Sequence, residues 1–136
     1  MNAAIVDTDV VSMLFKGDSR ARLFRGHVSG RLLGISFMTL AELERWHLER
    51  NWGALRRAEL ARHLTSYTVI PASRELCVKW AEVTCEARRK GRPIQTADAW
   101  IAASALHYQV PLITNNPSDY RVIENLQLLT SLDYSP

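Results

Sequence analysis

Short apolar runs alternate with amphipathic stretches along the whole chain. Residues 3–6, Ala-Ala-Ile-Val, form a compact apolar run that ends on Asp7, the pattern of a buried parallel strand. Residues 8–16 then turn helical, with Val10, Val11, Leu14 and Phe15 on one side and Gly17-Asp18 as the stop. A short basic segment at 20–27 reads as helical, and 32–36 as a second strand. A strong helix is expected at 39–50, where Leu40, Leu43 and Leu48 stand between glutamates and arginines. Trp52-Gly53 breaks it, and 54–64 makes another amphipathic helix. Residues 67–70 form a third strand closed by Pro71. The stretch 73–89 carries Cys77, Trp80, Ala81 and Thr84 at helical spacing, until Gly91 and Pro93 stop it. An alanine-rich helix at 95–107 can pack closely; 110–114 is a fourth strand and 126–129 a fifth.

Strands alternating with helices of this length predict a parallel sheet covered on both faces. The 136 residues fit one domain, 1–136, with no internal repeat, linker or low-complexity tract. In such sheets the ligand site lies beyond the carboxyl ends of the strands, where chain order reverses. Asp7 and Thr114 stand at predicted strand ends, so a site there is geometrically natural.

Composition narrows the class. A hydrophobic fraction of 47% with mixed charge belongs to a folded chain, not a disordered one. The formal charge is +3, and arginine greatly outnumbers lysine, which suits phosphate recognition. A charge this small permits a nucleic-acid partner without identifying one. Cys77 and Cys85 fall in one helical stretch about 12 Å apart, beyond disulfide reach, and are expected to be reduced core thiols. The start carries neither the basic stretch nor the long apolar run of a signal peptide, and no segment is long enough to span a membrane. The expected location is the cytoplasm.

Four carboxylates stand at the edges of apolar segments far apart in the chain: Asp7, Glu42, Asp98 and Asp119. Gathered together they would repel, and a hard divalent cation such as Mg²⁺ relieves that conflict with oxygen ligands. Each acid also has a purely local explanation. Asp7 can cap the helix that follows it. Thr39 and Glu42 have the spacing of a capping box. Asp98 lies in a first helical turn, where the dipole favours negative charge, and its face continues through Ile101, Ala102 and Ala105. Asn-Pro-Ser-Asp119 is ordinary turn chemistry. The functional reading is preferred for all four, with a supporting role for Asp119.

The chain resembles the PIN domains, especially the small ribonuclease toxins of the VapC type. The resemblance rests on Ile5-Val-Asp7-Thr8-Asp9-Val-Val, Ser36-Phe-Met-Thr39-Leu-Ala-Glu42-Leu43, Gly91-Arg92-Pro-Ile-Gln-Thr-Ala-Asp98-Ala-Trp-Ile-Ala-Ala103, and Thr114-Asn-Asn116-Pro-Ser-Asp119-Tyr120, in that order. It implies a three-layer α/β/α sandwich around a mostly parallel sheet and an endoribonuclease dependent on Mg²⁺ or Mn²⁺. By position, Asp7, Glu42, Asp98 and Asp119 are the acidic quartet that holds the metal and carries catalysis. Asp7 and Asp98 are the principal ligands, and Glu42 positions water or acts as base. Thr114 and Asn116 fall on supporting positions, beside Thr8 and Asp9; Asp9 departs from the Asn or Ser common in relatives. The products implied are a 5′-phosphate and a 3′-hydroxyl.

The resemblance further implies a small antitoxin that blocks the acidic pocket with an arginine, and a homodimer. Phe15, Leu43 and Trp46 are candidate groove residues; Trp46 follows Glu42 by one helical turn, so it can stack a base or receive a partner. Arg92, in the run Arg88-Arg89-Lys90-Gly91-Arg92, is a candidate RNA contact, although cations before Gly and Pro are also a normal helix stop. Trp80 and Trp100 are expected in the core.

Two other readings compete. Asp7-Thr-Asp9-Val-Val fits the opening motif of haloacid-dehalogenase-type phosphatases, with Asp7 as nucleophile and Asp9 as acid, but the later paired-aspartate motif is missing. A PIN-like module that binds RNA or protein without catalysis is the other, and it sits poorly with the presence of all four acids.

Overall fold

The structure of the chain, a computed structural model, describes residues 2–131. Its centre is a five-stranded sheet in the order β3-β2-β1-β4-β5, with every neighbouring pair parallel. The strands are β1 (Ala3–Val6), β2 (Leu32–Ser36), β3 (Thr68–Ile70), β4 (Leu112–Ile113) and β5 (Leu128–Leu129). Helices α1 (Thr8–Lys16), α2 (Arg25–Val28), α3 (Phe37–Glu49), α4 (Ala54–Leu64), α5 (Arg74–Arg89) and α6 (Thr96–Tyr108) fill the connections.

The two-residue period of β1 divides the interior. Ala4 and Val6 point into a core with Val10, Val11 and Met13 of α1, with Leu43 of α3, and with Phe24 from the segment before α2. Ile5 points the other way, against Leu76, Val83 and Ala87 of α5 and the alanine-rich wall of α6. Helices therefore cover both faces, giving the expected α/β/α layering. On the α6 side Gly34 sits between Ile5 and Ile70. A Cβ there would stand 3.0 Å from Ile5 Cδ1, so the strand is glycine where the layers close tightly.

The chain winds outward from β1 to β2 to β3, then crosses to β4 and β5 on the other side of β1. The reversal falls between β1 and β4, which pair through Val6 and Ile113. The residues directly beyond that pair are Asp7 and Thr114, so the switch point of the sheet coincides with the acidic positions.

Several boundaries match expectation: β2, α1 and α4 begin and end as their patterns indicate, and Gly17 ends α1 in the left-handed conformation at φ 68°. Other expectations need correction. The basic segment is a 3-10 helix, Ser19–Phe24, that runs into the single turn of α2. Helix α3 starts earlier than expected because the Ser36 hydroxyl accepts the Met38 N–H as an N-cap. Leu48 is exposed, not part of its apolar stripe.

The cysteines are not core thiols: both are exposed. The buried stripe of α5 is Leu76, Val83 and Ala87, with Trp80 partly buried beside it. Of the expected Cys77, Trp80, Ala81 and Thr84, Trp80 lies on that stripe, while the line through Cys77, Ala81 and Thr84 is turned from it by about 100°, one residue. Trp80 stacks on Trp100 with ring centroids 5.2 Å apart, and both are half-buried against the core. Among the described residues no helix is long and apolar enough to cross a membrane.

Candidate active site

Asp7 is the buried centre of the site. It occupies the N-cap position of α1, yet its side chain makes no capping bond; its backbone carbonyl accepts the N–H groups of Val10 and Val11 at 3.1 Å each. The carboxylate, 5% exposed, turns inward and accepts from the Thr114 hydroxyl at 2.8 Å and the Tyr120 hydroxyl at 3.1 Å. Helix capping therefore does not account for this aspartate. Burial pushes its pKa up to about 7; the Thr114 bond opposes that shift, and the charges of Asp9 and Asp98 add to it.

Asp98 arrives from the first turn of α6, half-buried, with Ile101, Ala102 and Ala105 beneath it in the core as expected. Its Oδ1 accepts from the same Tyr120 hydroxyl at 3.3 Å. Burial raises its pKa, and the charges of Asp119, Glu42 and Asp9 raise it further. The acids thus lie within electrostatic reach of one another. Among the described residues none of the five carboxylates is ion-paired with a lysine or arginine.

Glu42 enters from α3 on the opposite side. The capping-box explanation fails here, because Ser36 caps the helix and Thr39 is buried inside its first turn. The Thr8 hydroxyl donates to Glu42 Oε1 at 2.8 Å, and Thr39 Oγ1 lies 2.9 Å from Thr8 Oγ1. A chain of two hydroxyls thereby orients the carboxylate, with Thr8 held at the start of α1 directly after Asp7.

The remaining positions surround this centre. Thr114 accepts the Asn116 backbone N–H at 3.0 Å, which leaves its own hydrogen for Asp7. Asn116 Nδ2 donates to Asp9 Oδ2 at 2.7 Å, so exposed Asp9 is tied to the β4 loop. Asp119 ends a 3-10 turn, Pro117–Asp119, and is exposed; it reaches the centre through its charge on Asp98. Sequence reasoning missed Tyr120 and Thr39. A buried phenol needs a hydrogen-bond partner, and that rule was the available signal for Tyr120.

Open clefts lead to these acids. One is lined by Arg92, Gln95, Asp98, Ser118 and Asp119. Another runs from Thr8, Asp9 and Glu42 to Lys16, Trp46 and Arg50. Arg92 therefore shares a wall with two of the acids. Leu43 is 2% exposed and forms the floor of the second cleft, a core position more than a contact surface. Phe15 and Trp46 belong to a half-buried aromatic group with Trp52, in which Trp46 and Trp52 centroids are 4.7 Å apart. Lys16 stands over Trp46 at 4.8 Å and Arg56 over Phe15 at 4.5 Å.

The donor set fits a hard cation. Every candidate ligand is an oxygen; burial is the main cause that raises Asp7 and Asp98, and the like charge that adds to it is what a divalent cation offsets. Asp7 accepts the Thr114 and Tyr120 hydrogen bonds on Oδ2, and its Oδ1 takes none from the described residues. Among the described residues no three carboxylates, imidazoles or thiols stand together as a group that could hold a metal ion. Mg²⁺ retains several waters and takes only one or two carboxylates directly.

Comparison with known proteins is consistent in every direction. The family model described as "PIN domain" matches residues 4–124. Ribonuclease VapC1 of Haemophilus influenzae (strain R2866) is 30% identical over 131 residues, covering 90% of this chain and 93% of the relative. The solved structure of VapBC-1 from nontypeable Haemophilus influenzae superposes with a TM-score of 0.83 at 25% identity, covering 96% of this chain and 98% of the other. VapBC2 from Rickettsia felis, bound to a DNA fragment from its promoter, gives a TM-score of 0.82 at 23% identity, over 94% and 98% of the two chains.

Proposed function

The chain belongs to the PIN-domain family, and on that premise we propose that it is a divalent-metal-dependent endoribonuclease, the toxin of a toxin–antitoxin pair. The observation that carries the chemistry is the meeting of Asp7 and Asp98 on one buried hydroxyl, with Glu42, Asp9 and Asp119 close enough to feel their charge.

Asp7 and Asp98 would hold the cation, Mg²⁺ or Mn²⁺, with Glu42 and Asp119 completing the acidic quartet. When bound, the cation lowers the pKa of water and neutralises charge on phosphoryl oxygens. Glu42, aimed by Thr8, orients the attacking water and takes its proton. Attack in line with the leaving oxygen breaks the phosphodiester and leaves a 5′-phosphate and a 3′-hydroxyl. Thr114 and Asn116, which follow β4, hold Asp7 and Asp9, the two acids that follow β1, in place. Arg92, beside Asp98 and Asp119, meets the phosphate backbone of the substrate.

The aromatic surface of Phe15 and Trp46 is the seat of the antitoxin. VapBC-1, to which this chain is similar in fold and sequence, shares the VapBC name with VapBC-5 of Mycobacterium tuberculosis, a member of the VapBC family of toxin–antitoxin systems. An arginine of the partner inserted among unpaired carboxylates would both satisfy them and close the site. The toxin acts as a homodimer in the cytoplasm.

The test is cleavage of RNA by the purified protein with Mg²⁺, Mn²⁺ or EDTA, alongside Asp98→Asn. Cleavage requires the cation and falls at least 100-fold in the variant. Undiminished cleavage by a folded Asp98→Asn protein removes the assignment.

A further inference from the structure

We infer that Tyr120 is a positioning residue that sets the spacing and orientation of Asp7 and Asp98 for the cation. The inference rests on the reading of those two acids as its ligands. Tyr120 follows the 3-10 turn after β4, and its ring is fully buried in the core against α6. Its backbone is fixed as well: its N–H donates to the Pro117 carbonyl, and its own carbonyl accepts from Ile123. Only the phenolic oxygen leaves the apolar interior, and it stops between the two carboxylates, 3.1 Å from Asp7 Oδ2 and 3.3 Å from Asp98 Oδ1.

A phenol has one hydrogen to give, so the two distances describe a shared donor. The consequence is a division of labour among four carboxylate oxygens. One oxygen of each acid is tied inward on Tyr120, and the other, Asp7 Oδ1 and Asp98 Oδ2, takes no hydrogen bond from the described residues. Those free oxygens are the ones available to a ligand. Asp7 keeps a second anchor in Thr114, whereas Asp98 has no other side-chain hydrogen bond among the described residues. Without the hydroxyl, Asp98 regains rotamer freedom that the cation must then remove. Partners of this kind behind a metal ligand typically change affinity by about 10–100-fold when removed.

Tyr120→Phe keeps the ring and its packing and removes only the oxygen. Mn²⁺ binding measured by calorimetry without RNA, on wild type, Tyr120→Phe and Asp7→Asn, separates the possibilities. The expected result is loss of binding in Asp7→Asn and about 10–100-fold weaker binding in Tyr120→Phe, whose thermal midpoint without metal stays close to wild type. Raising Mn²⁺ then restores most of kcat in Tyr120→Phe, a split that a merely loosened fold does not give. If Asp7→Asn loses binding and Tyr120→Phe matches wild type within twofold, the positioning role is wrong and the acidic centre stands. If wild type binds no Mn²⁺, or Asp7→Asn binds it equally well, both fall.

Discussion

Thr114 Oγ1 donates to Asp7 Oδ2 at 2.8 Å, joining the residues that follow β4 and β1 across 107 positions of sequence. The bond forms because the parallel pairing of Val6 with Ile113 brings the two strand ends level, one step before the chain order reverses. With the Tyr120 hydroxyl it softens a buried carboxylate surrounded by like charge, and the two donors do so incompletely: burial still pushes the Asp7 pKa up to about 7.

That shift makes the metal-free protein sensitive to pH in a definite direction. The folded pKa of Asp7 lies above its ordinary value of 3.8, so folding favours the protonated form. The associated stability is fully present below about pH 4 and is lost as pH rises through about 7. The shift corresponds to about 4 kcal/mol at most. Asp7→Asn, which is neutral at every pH, should match wild type near pH 4 and exceed it by ~2–4 kcal/mol at pH 8. Urea melts in EDTA across that range test the expectation; a constant offset between the two proteins would refute it.

Thr8 supplies a second, separable effect. Its hydroxyl donates to Glu42, and Thr8→Val removes that donor while nearly conserving shape. Cleavage should fall by about 10–100-fold, as for loss of an orienting partner, with stability changed by about 1 kcal/mol. Mn²⁺ affinity should move less than in Tyr120→Phe, because Glu42 orients water more than it holds the cation. Single-turnover cleavage and calorimetry on the two variants make the comparison.

The legible parts of this fold were those whose signal is local. The β1 run closing on Asp7, the period of α1 and its Gly17 stop depend on neighbours within one or two turns, and they stand where expected. Helix α5 shows the opposite case. Cys77, Ala81 and Thr84, expected beside Trp80, look as buriable as Leu76 and Val83, and only packing against α6 selects Leu76 and Val83 as the companions of Trp80. The acids were legible because strand ends and helix starts are marked by composition. Tyr120 was not, since the fate of its hydroxyl is decided by a carboxylate 113 residues away.

The clefts distinguish packing from contact. Leu43→Ala should cost about 2–5 kcal/mol in stability, because the side chain is enclosed by the core between β1 and α3. Trp46→Ala, at a half-buried site, should leave the fold intact and weaken the antitoxin complex by at least tenfold. Thermal melts and a binding titration with the cognate partner check the pair. An antitoxin affinity unchanged by Trp46→Ala would move the partner's seat elsewhere.

Asp9 separates the nuclease from a phosphatase built on the same opening motif. In the phosphatase reading Asp9 is the essential acid and Asp7 a nucleophile that becomes phosphorylated. The structure holds Asp9 at the rim, exposed, with Asn116 Nδ2 on its Oδ2 at 2.7 Å. Asp9→Asn keeps the side-chain shape and loses one negative charge near Asp7 and Asp98. RNA cleavage should therefore persist within about tenfold, while Asp98→Asn loses at least 100-fold. Loss of RNA cleavage equal to that of Asp98→Asn would give Asp9 an essential part in the site. Aryl-phosphate hydrolysis that disappears in Asp9→Asn, accompanied by a phosphorylated Asp7, would establish the phosphatase.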